Sequence, residues 1–128
     1  MNTFASEIKQ LVIRAFKSDY GKGPESVRVS ISDNIILIDI RGSLSPLETA
    51  LLRKVPESSK KIIKSLRKQL LDSDLDYYTA EARRITNIKD LKLETYTFEI
   101  DFHHDRQIMI FICNKSLDHT GEVNREIF

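Results

Sequence analysis

The sequence predicts an α+β fold. One antiparallel sheet of two β-hairpins has helices packed on one face, in the order α-β-β-α-α-β-β. Three observations carry that reading. Apolar residues recur at three-and-four spacing near the N-terminus and again through the centre. They alternate with polar residues in two pairs of short segments, one before and one after the central helical region. Turn-forming residues separate the members of each pair.

Phe4, Ile8, Leu11, Val12, Ala15 and Phe16 form one helical stripe, with Thr3 or Asn2 as its cap. Tyr20-Gly21-Lys22-Gly23-Pro24 ends it, because the glycines allow a sharp reversal and Pro24 cannot continue a helix. Val27, Val29 and Ile31 then alternate with Arg28, Ser30 and Ser32. Asp33-Asn34 turns the chain, and Ile35 to Arg41 returns as the second strand. Ile35-Ile36-Leu37-Ile38 is apolar at both parities, which predicts a central strand covered on both faces. Ser45-Pro46-Leu47-Glu48 has the form of a capping box with proline at the first helical position, opening a helix to about Lys54.

A second helix starts at Pro56, its stripe running through Ile63, Leu66, Leu70, Tyr77 or Tyr78, Ala82 and Ile85 toward Asn87. Unbroken, it is ~45 Å long at 1.5 Å per residue, and Asp72-Ser73-Asp74 is the expected place for a kink. Tyr96, Phe98, Ile100 and Phe102 mark the third strand, His103-His104-Asp105-Arg106 the turn, and Ile108 to Cys113 the fourth strand. The expected domain is residues 1–113, followed by a polar tail, 114–128. The overlong helix and the two-sided apolar strands predict further burial in a homodimer.

The 128-residue chain is 41% hydrophobic, enough for its own core, and its charges nearly cancel at +1. That balance argues against a nucleic-acid-coating protein but leaves room for a local basic face. Cys113 is the only cysteine, so no intramolecular disulfide or thiolate zinc cluster can form within one chain. The first residues lack signal-peptide features, and the apolar runs Ile35–Ile38 and Ile108–Cys113 fall far short of the ~20 residues that span a bilayer. The expected location is therefore the cytoplasm.

Three segments are candidates for function. Gly21-Lys22-Gly23-Pro24 has the composition of a phosphate loop but lies between a helix and a strand, the reverse of the required order, and reads as a turn. His103-His104-Asp105, with Asp101, His119 and Cys113 elsewhere, is the cluster closest to a metal or acid–base site, although the spacing of a metal motif is not met within one chain. Cys113 itself sits in an apolar strand and reads as a small core hydrophobe. Arg53, Lys54, Lys60, Lys61, Lys64, Arg67 and Lys68 form a dense basic run in which Lys60, Lys64 and Lys68 share one helical face, flanked by Lys61 and Arg67. Such a face is either simply solvated or binds anionic lipid, nucleic-acid phosphates or an acidic protein. No aromatic residues are interleaved with it for base stacking.

The segment from Tyr20 to Val29, with Gly21, Gly23 and Pro24 at its turn, resembles the MpsC-like family, formerly of unknown function. Arg41-Gly42-Ser43-Leu44-Ser45-Pro46-Leu47-Glu48, a long helix containing Arg67 and a final hairpin are similar to the rest of its pattern, over roughly residues 4 to 113. Thr86-Asn87-Ile88-Lys89 departs from the family's Thr-Gly step. The resemblance implies a small soluble component of a Na+-translocating, membrane-potential-generating system associated with inorganic-carbon uptake. Its companions there are an antiporter-like membrane subunit and a large soluble partner. No catalytic residue or cofactor carries over with the resemblance, which favours an accessory protein over an enzyme. A metal- or ligand-binding role for the histidine turn and a nucleic-acid role for the basic helix are the alternatives.

Overall fold

The computed structural model describes residues 3–117. Helix α1 (Thr3–Tyr20) is followed by the hairpin β1 (Ser26–Ser32) and β2 (Ile35–Arg41), by α2 (Pro46–Lys54) and α3 (Pro56–Thr86), and by the hairpin β3 (Leu93–Asp101) and β4 (Arg106–Cys113). All three strand pairings are antiparallel, in the order β1-β2-β4-β3. The α+β class and element order agree with the sequence reading. The two strands that are apolar at both parities, β2 and β4, occupy the centre of the sheet.

The core lies between one face of this sheet and the helices α1 and α3. Phe4, Ile8, Val12 and Phe16 of α1 are buried against alternate strand residues such as Ile36, Ile38, Met109 and Phe111. Strand periodicity brings those side chains to one face, and helical periodicity brings the α1 residues to one stripe. The opposite face is not covered within the protomer: Ile35 and Ile112 remain 40% and 37% exposed, and Leu37, Ile108 and Ile110 are half-buried. The expectation that β2 is covered on both faces therefore fails within one chain.

Helix α3 runs without interruption for 31 residues, so the expected kink at Asp72-Ser73-Asp74 is absent. Asp72 is held inside the helix by Lys68, four residues earlier, at 2.9 Å, and accepts a hydrogen bond from Tyr96 of β3. These contacts offset the weak helix propensity of a short polar run. The buried row at the start of α3 is Ser59, Ile63, Arg67 and Leu71, each four residues from the next. Leu66 and Tyr77, expected in the apolar stripe, are both 53% exposed. Helix α2 contributes no buried residue and is clamped to α3 where Ser59 Oγ donates to Leu51 O at 2.9 Å.

The last described residues are held firmly. Leu117, within the expected tail, is buried, and its N–H donates to Asp33 O at 2.7 Å. Residues 118–128, which include His119, lie outside the described residues, as does the expected cap Asn2. Between β2 and α2, Gly42 takes a φ of +69°, and a Cβ there would stand 2.7 Å from Glu25 Cβ. Both the backbone angle and the space demand glycine. Gly42→Ala should lower stability by more than the ~1–2 kcal/mol that left-handed backbone alone costs an L-residue. The shift in urea midpoint measures it, and a change below that range would show that the loop relaxes freely.

Candidate functional site

The most elaborate polar arrangement surrounds Arg67, whose side chain is only 1% exposed. Its guanidinium has five N–H groups, and all five are used. Nε donates to Glu48 Oε2 at 3.0 Å and Nη2 to Glu48 Oε1 at 2.7 Å, forming a two-pronged ion pair. Nη2 also donates to Ser43 O at 3.1 Å, and Nη1 donates to Ser43 Oγ at 3.1 Å and Gln107 Oε1 at 2.7 Å. The guanidinium carbon lies 4.4 Å from the Tyr20 ring centroid and 5.6 Å from that of Phe16. One side chain thus joins α3 to α1, to the start of α2, to the β2–α2 loop and to β4.

Glu48 does two jobs. Ser45 N donates to its Oε1 at 2.9 Å while Glu48 N donates to Ser45 Oγ at 3.2 Å, completing the capping box expected from the sequence. Burial alone would raise the Glu48 pKa, but the hydrogen bonds from Arg67 and Ser45 overcome it and hold the carboxylate below its usual range. Burial likewise pushes the Tyr20 phenol up to about 12, so it stays neutral beside the cation.

The histidine turn is anchored through Asp105. Asp105 Oδ1 accepts from Ser43 N and Leu44 N, both at 3.0 Å, and its carbonyl accepts from Gly42 N at 2.8 Å. It fixes the very loop that presents Ser43 to Arg67. His103 and His104 stack edge to face at the exposed tip, and His104 Nδ1 lies 2.7 Å from Asp101 Oδ2. Among the described residues, no group of three His, Cys, Asp or Glu side chains could hold a metal. Cys113 is buried on the helix-covered face, and burial pushes its thiol up to about 11, away from nucleophilic reactivity. Gly21, Gly23 and Pro24 form the turn between α1 and β1, with Gly21 at φ +74°.

The basic run separates into two environments. Lys60, Lys61, Lys64 and Lys68 line an exposed flank of α3, whereas Arg67 turns inward and belongs to the core. The reason is helical geometry: Arg67 stands four residues after buried Ile63 and four before buried Leu71. Three of the lysines have acidic neighbours, Lys60 with Glu57 at 3.4 Å, Lys64 with Glu99 at 2.9 Å and Lys68 with Asp72 at 2.9 Å. On another flank of α3, Ile62 and Leu66 are exposed, as is Leu47 of α2, at 70%. Leu47, Leu66, Leu70 and Tyr20 line a groove of about 560 Å³ there.

A family model described as "Na+-translocating membrane potential-generating system (MpsC)" matches residues 2–115. The chain belongs to the MpsC family. No curated protein and no solved structure matches it. Part of the Arg41–Glu48 segment that carried the resemblance to the MpsC family gathers at Arg67, where Ser43 and Glu48 accept from the guanidinium and Ser45 holds Glu48. Sequence reasoning placed Arg67 among binding residues and missed Gln107. The available signal was a lone polar residue at a core-facing position of a central strand, which needs a buried partner.

A further electrostatic feature joins α1 to α3 within this MpsC-family fold, where Asp19 lies against Asp74. Desolvation, with the hydrogen bond and charge of Asp74, pushes the Asp19 pKa up to about 6. A carboxyl raised in the folded state above its ordinary value near ~3.9 contributes most favourably when protonated in both states, and stability falls as pH rises through that window. Asp74→Asn should therefore stabilise the protein above pH ~6, with the gain shrinking toward pH ~4 as the linkage relation requires. Urea midpoints across that range test the sign. Arg67→Ala should cost ~3–5 kcal/mol by the same assay, since it strands Glu48 in a half-buried site. Arg67→Lys should recover only part, because an ammonium offers three donors to five acceptor positions.

Proposed function

We propose that this chain is a non-enzymatic, cytoplasmic accessory component of a Na+-translocating, membrane-potential-generating assembly. Its partners in this reading are an antiporter-like membrane subunit, a large soluble protein and a second copy of itself. The match to the MpsC family over residues 2–115 carries the proposal. Among the described residues, no helix is long and apolar enough to cross a membrane, so contact with a membrane subunit would be made through a surface.

The lysine flank of α3 supports that mode of action. Lys60, Lys61, Lys64 and Lys68 form a local positive surface on a chain of nearly neutral charge. On the other exposed flank of α3, Ile62 and Leu66 offer separate apolar area of the kind that lies at the centre of protein interfaces. The acidic neighbours of these lysines are themselves exposed at the surface, and such pairs are worth only ~0–1 kcal/mol, so exchanging them for a partner's carboxylates costs little. Arg67 is excluded from this role, because every one of its donors is already engaged.

The test is a pull-down of the tagged full chain, expressed at native level, from gently solubilised membranes, beside a variant with Lys60, Lys64 and Lys68 changed to Ala. Enrichment of an antiporter-like subunit, reduced roughly tenfold or more in the variant, is expected if each lost contact is worth ~0.5 kcal/mol or more. Failure of the parent protein to retain such a subunit would overturn the accessory reading. Equal retention by both proteins would remove the lysine flank from the docking surface.

A further inference from the structure

The sheet face turned away from α1 and α3 has an apolar middle and oppositely charged margins. Its middle is aliphatic: Ile35 opposes Ile112 and Leu37 opposes Ile110 across the β2–β4 pairing. On these two levels the outer strands supply only small hydroxyl side chains, Ser32 and Ser30 on β1 and Thr95 and Thr97 on β3. One level further along, the register places Arg28, Asp39, Ile108 and Glu99 in a single row across all four strands. Arg28 and Glu99, at its two ends, are both exposed.

We propose that two copies of this chain pack these faces together about a two-fold axis parallel to the strands. The inference deepens the dimeric part of the function proposed above and does not depend on docking through the lysine flank. Such an axis exchanges the two edges of the sheet while preserving position along the strands. Arg28 of each copy then lies over Glu99 of the other, Leu37 over Ile110 and Ile35 over Ile112. The aliphatic middle meets its own kind, and the hydroxyl residues are small enough to let the sheets approach. A two-fold axis perpendicular to the strands would instead stack β1 on β1 and β3 on β3, gathering like charges on the same margin.

Asp39 enters the interface already neutralised, because Arg106 Nε and Nη2 donate to its two oxygens at 3.0 Å each. The size is also adequate. Four strands ~4.8 Å apart and about seven residues of ~3.4 Å each give a footprint of roughly 400 Å². Corrugated side chains exceed their projected area, so two such faces bury on the order of 1,000 Å², the lower bound for a specific association. Packing of two twisted sheets face to face is an established solution to a one-sided sheet.

Sedimentation of the purified full chain over about 1–100 µM, the range in which an interface of this size is expected to associate, tests the proposal without any other partner. The parent should sediment as a dimer. Arg28→Glu alone and Glu99→Arg alone should each weaken dimerisation about tenfold or more, as expected for juxtaposed like charges at two symmetric positions. The combined exchange should restore it. Both positions are exposed, and Glu99 pairs with Lys64 at 2.9 Å at the surface, so folding should survive; far-ultraviolet circular dichroism confirms it. A second measurement uses Ser30→Cys with Thr97→Cys and a bis-maleimide spanning about 8 Å, suited to packed sheets ~10 Å apart. The double variant should cross-link between chains, and neither single variant should. A monomeric parent, a dimer indifferent to both charge reversals, or cross-linking through Ser30→Cys alone would each overturn this interface. A membrane-subunit pull-down that succeeds alongside a monomeric parent would leave the accessory role standing.

Discussion

A guanidinium kept from water at the centre of the molecule constrains most of what surrounds it. Arg67 cannot lose its proton, so the interior must supply an acceptor for each of its five N–H groups or bear a large desolvation penalty. Those acceptors come from three places distant in sequence: Ser43, Glu48 and Gln107. Each must arrive in register. The β2–α2 loop therefore turns at Gly42, Asp105 grips the backbone amides of Ser43 and Leu44, and Glu48 is placed by its own capping box. Among the described residues, no buried side-chain nitrogen or oxygen lacks a partner.

A buried ion pair of this kind adds little net stability compared with a well-packed apolar substitute, whereas removing one partner leaves an uncompensated buried charge. Here it attaches to α3 the start of α2, a helix with no buried residue of its own. Helix α2 is fixed instead by polar attachments: Glu48 to Arg67, and Leu51 O to Ser59 Oγ. Leu47 and its neighbours on α3 are consequently free to face solvent. The same economy operates on the sheet, where the helices are spent on one face and the aliphatic residues of β2 and β4 on the other remain accessible.

Much of the architecture was legible because it depends on short-range chemistry. The Gly21-Gly23-Pro24 turn, the Ser45–Glu48 capping box and the alternation in both hairpins each act within a few residues. The misreadings share a different cause. Lys60, Lys61, Lys64, Arg67 and Lys68 are indistinguishable as a run of positive charges, and only the buried row through Ile63 and Leu71 assigns Arg67 to the interior. Leu66 looked like a core residue by type, yet it lies on the flank where α2 leaves it exposed. Asp72-Ser73-Asp74 looked like a helix break, but Lys68 and Tyr96 reach Asp72 and the helix continues. The carboxylate of Asp105 accepts from the backbone of a loop 61 and 62 residues away, a contact that no local pattern announces.

By itself, the sequence determined the order of helices and strands, the central position of the doubly apolar strands and membership of a family read through local motifs. Those properties follow from periodicity, capping and turn chemistry, all of which act over one or two turns of chain. Only the tertiary structure decided which cation is buried and which are displayed, which sheet face is covered, and which carboxylates are partners of arginine, of backbone or of each other. The reason is physical. Desolvation and charge pairing depend on groups separated by 19 residues in Arg67–Glu48 and by 67 in Arg106–Asp39, and their strength is set by distance in space rather than distance along the chain.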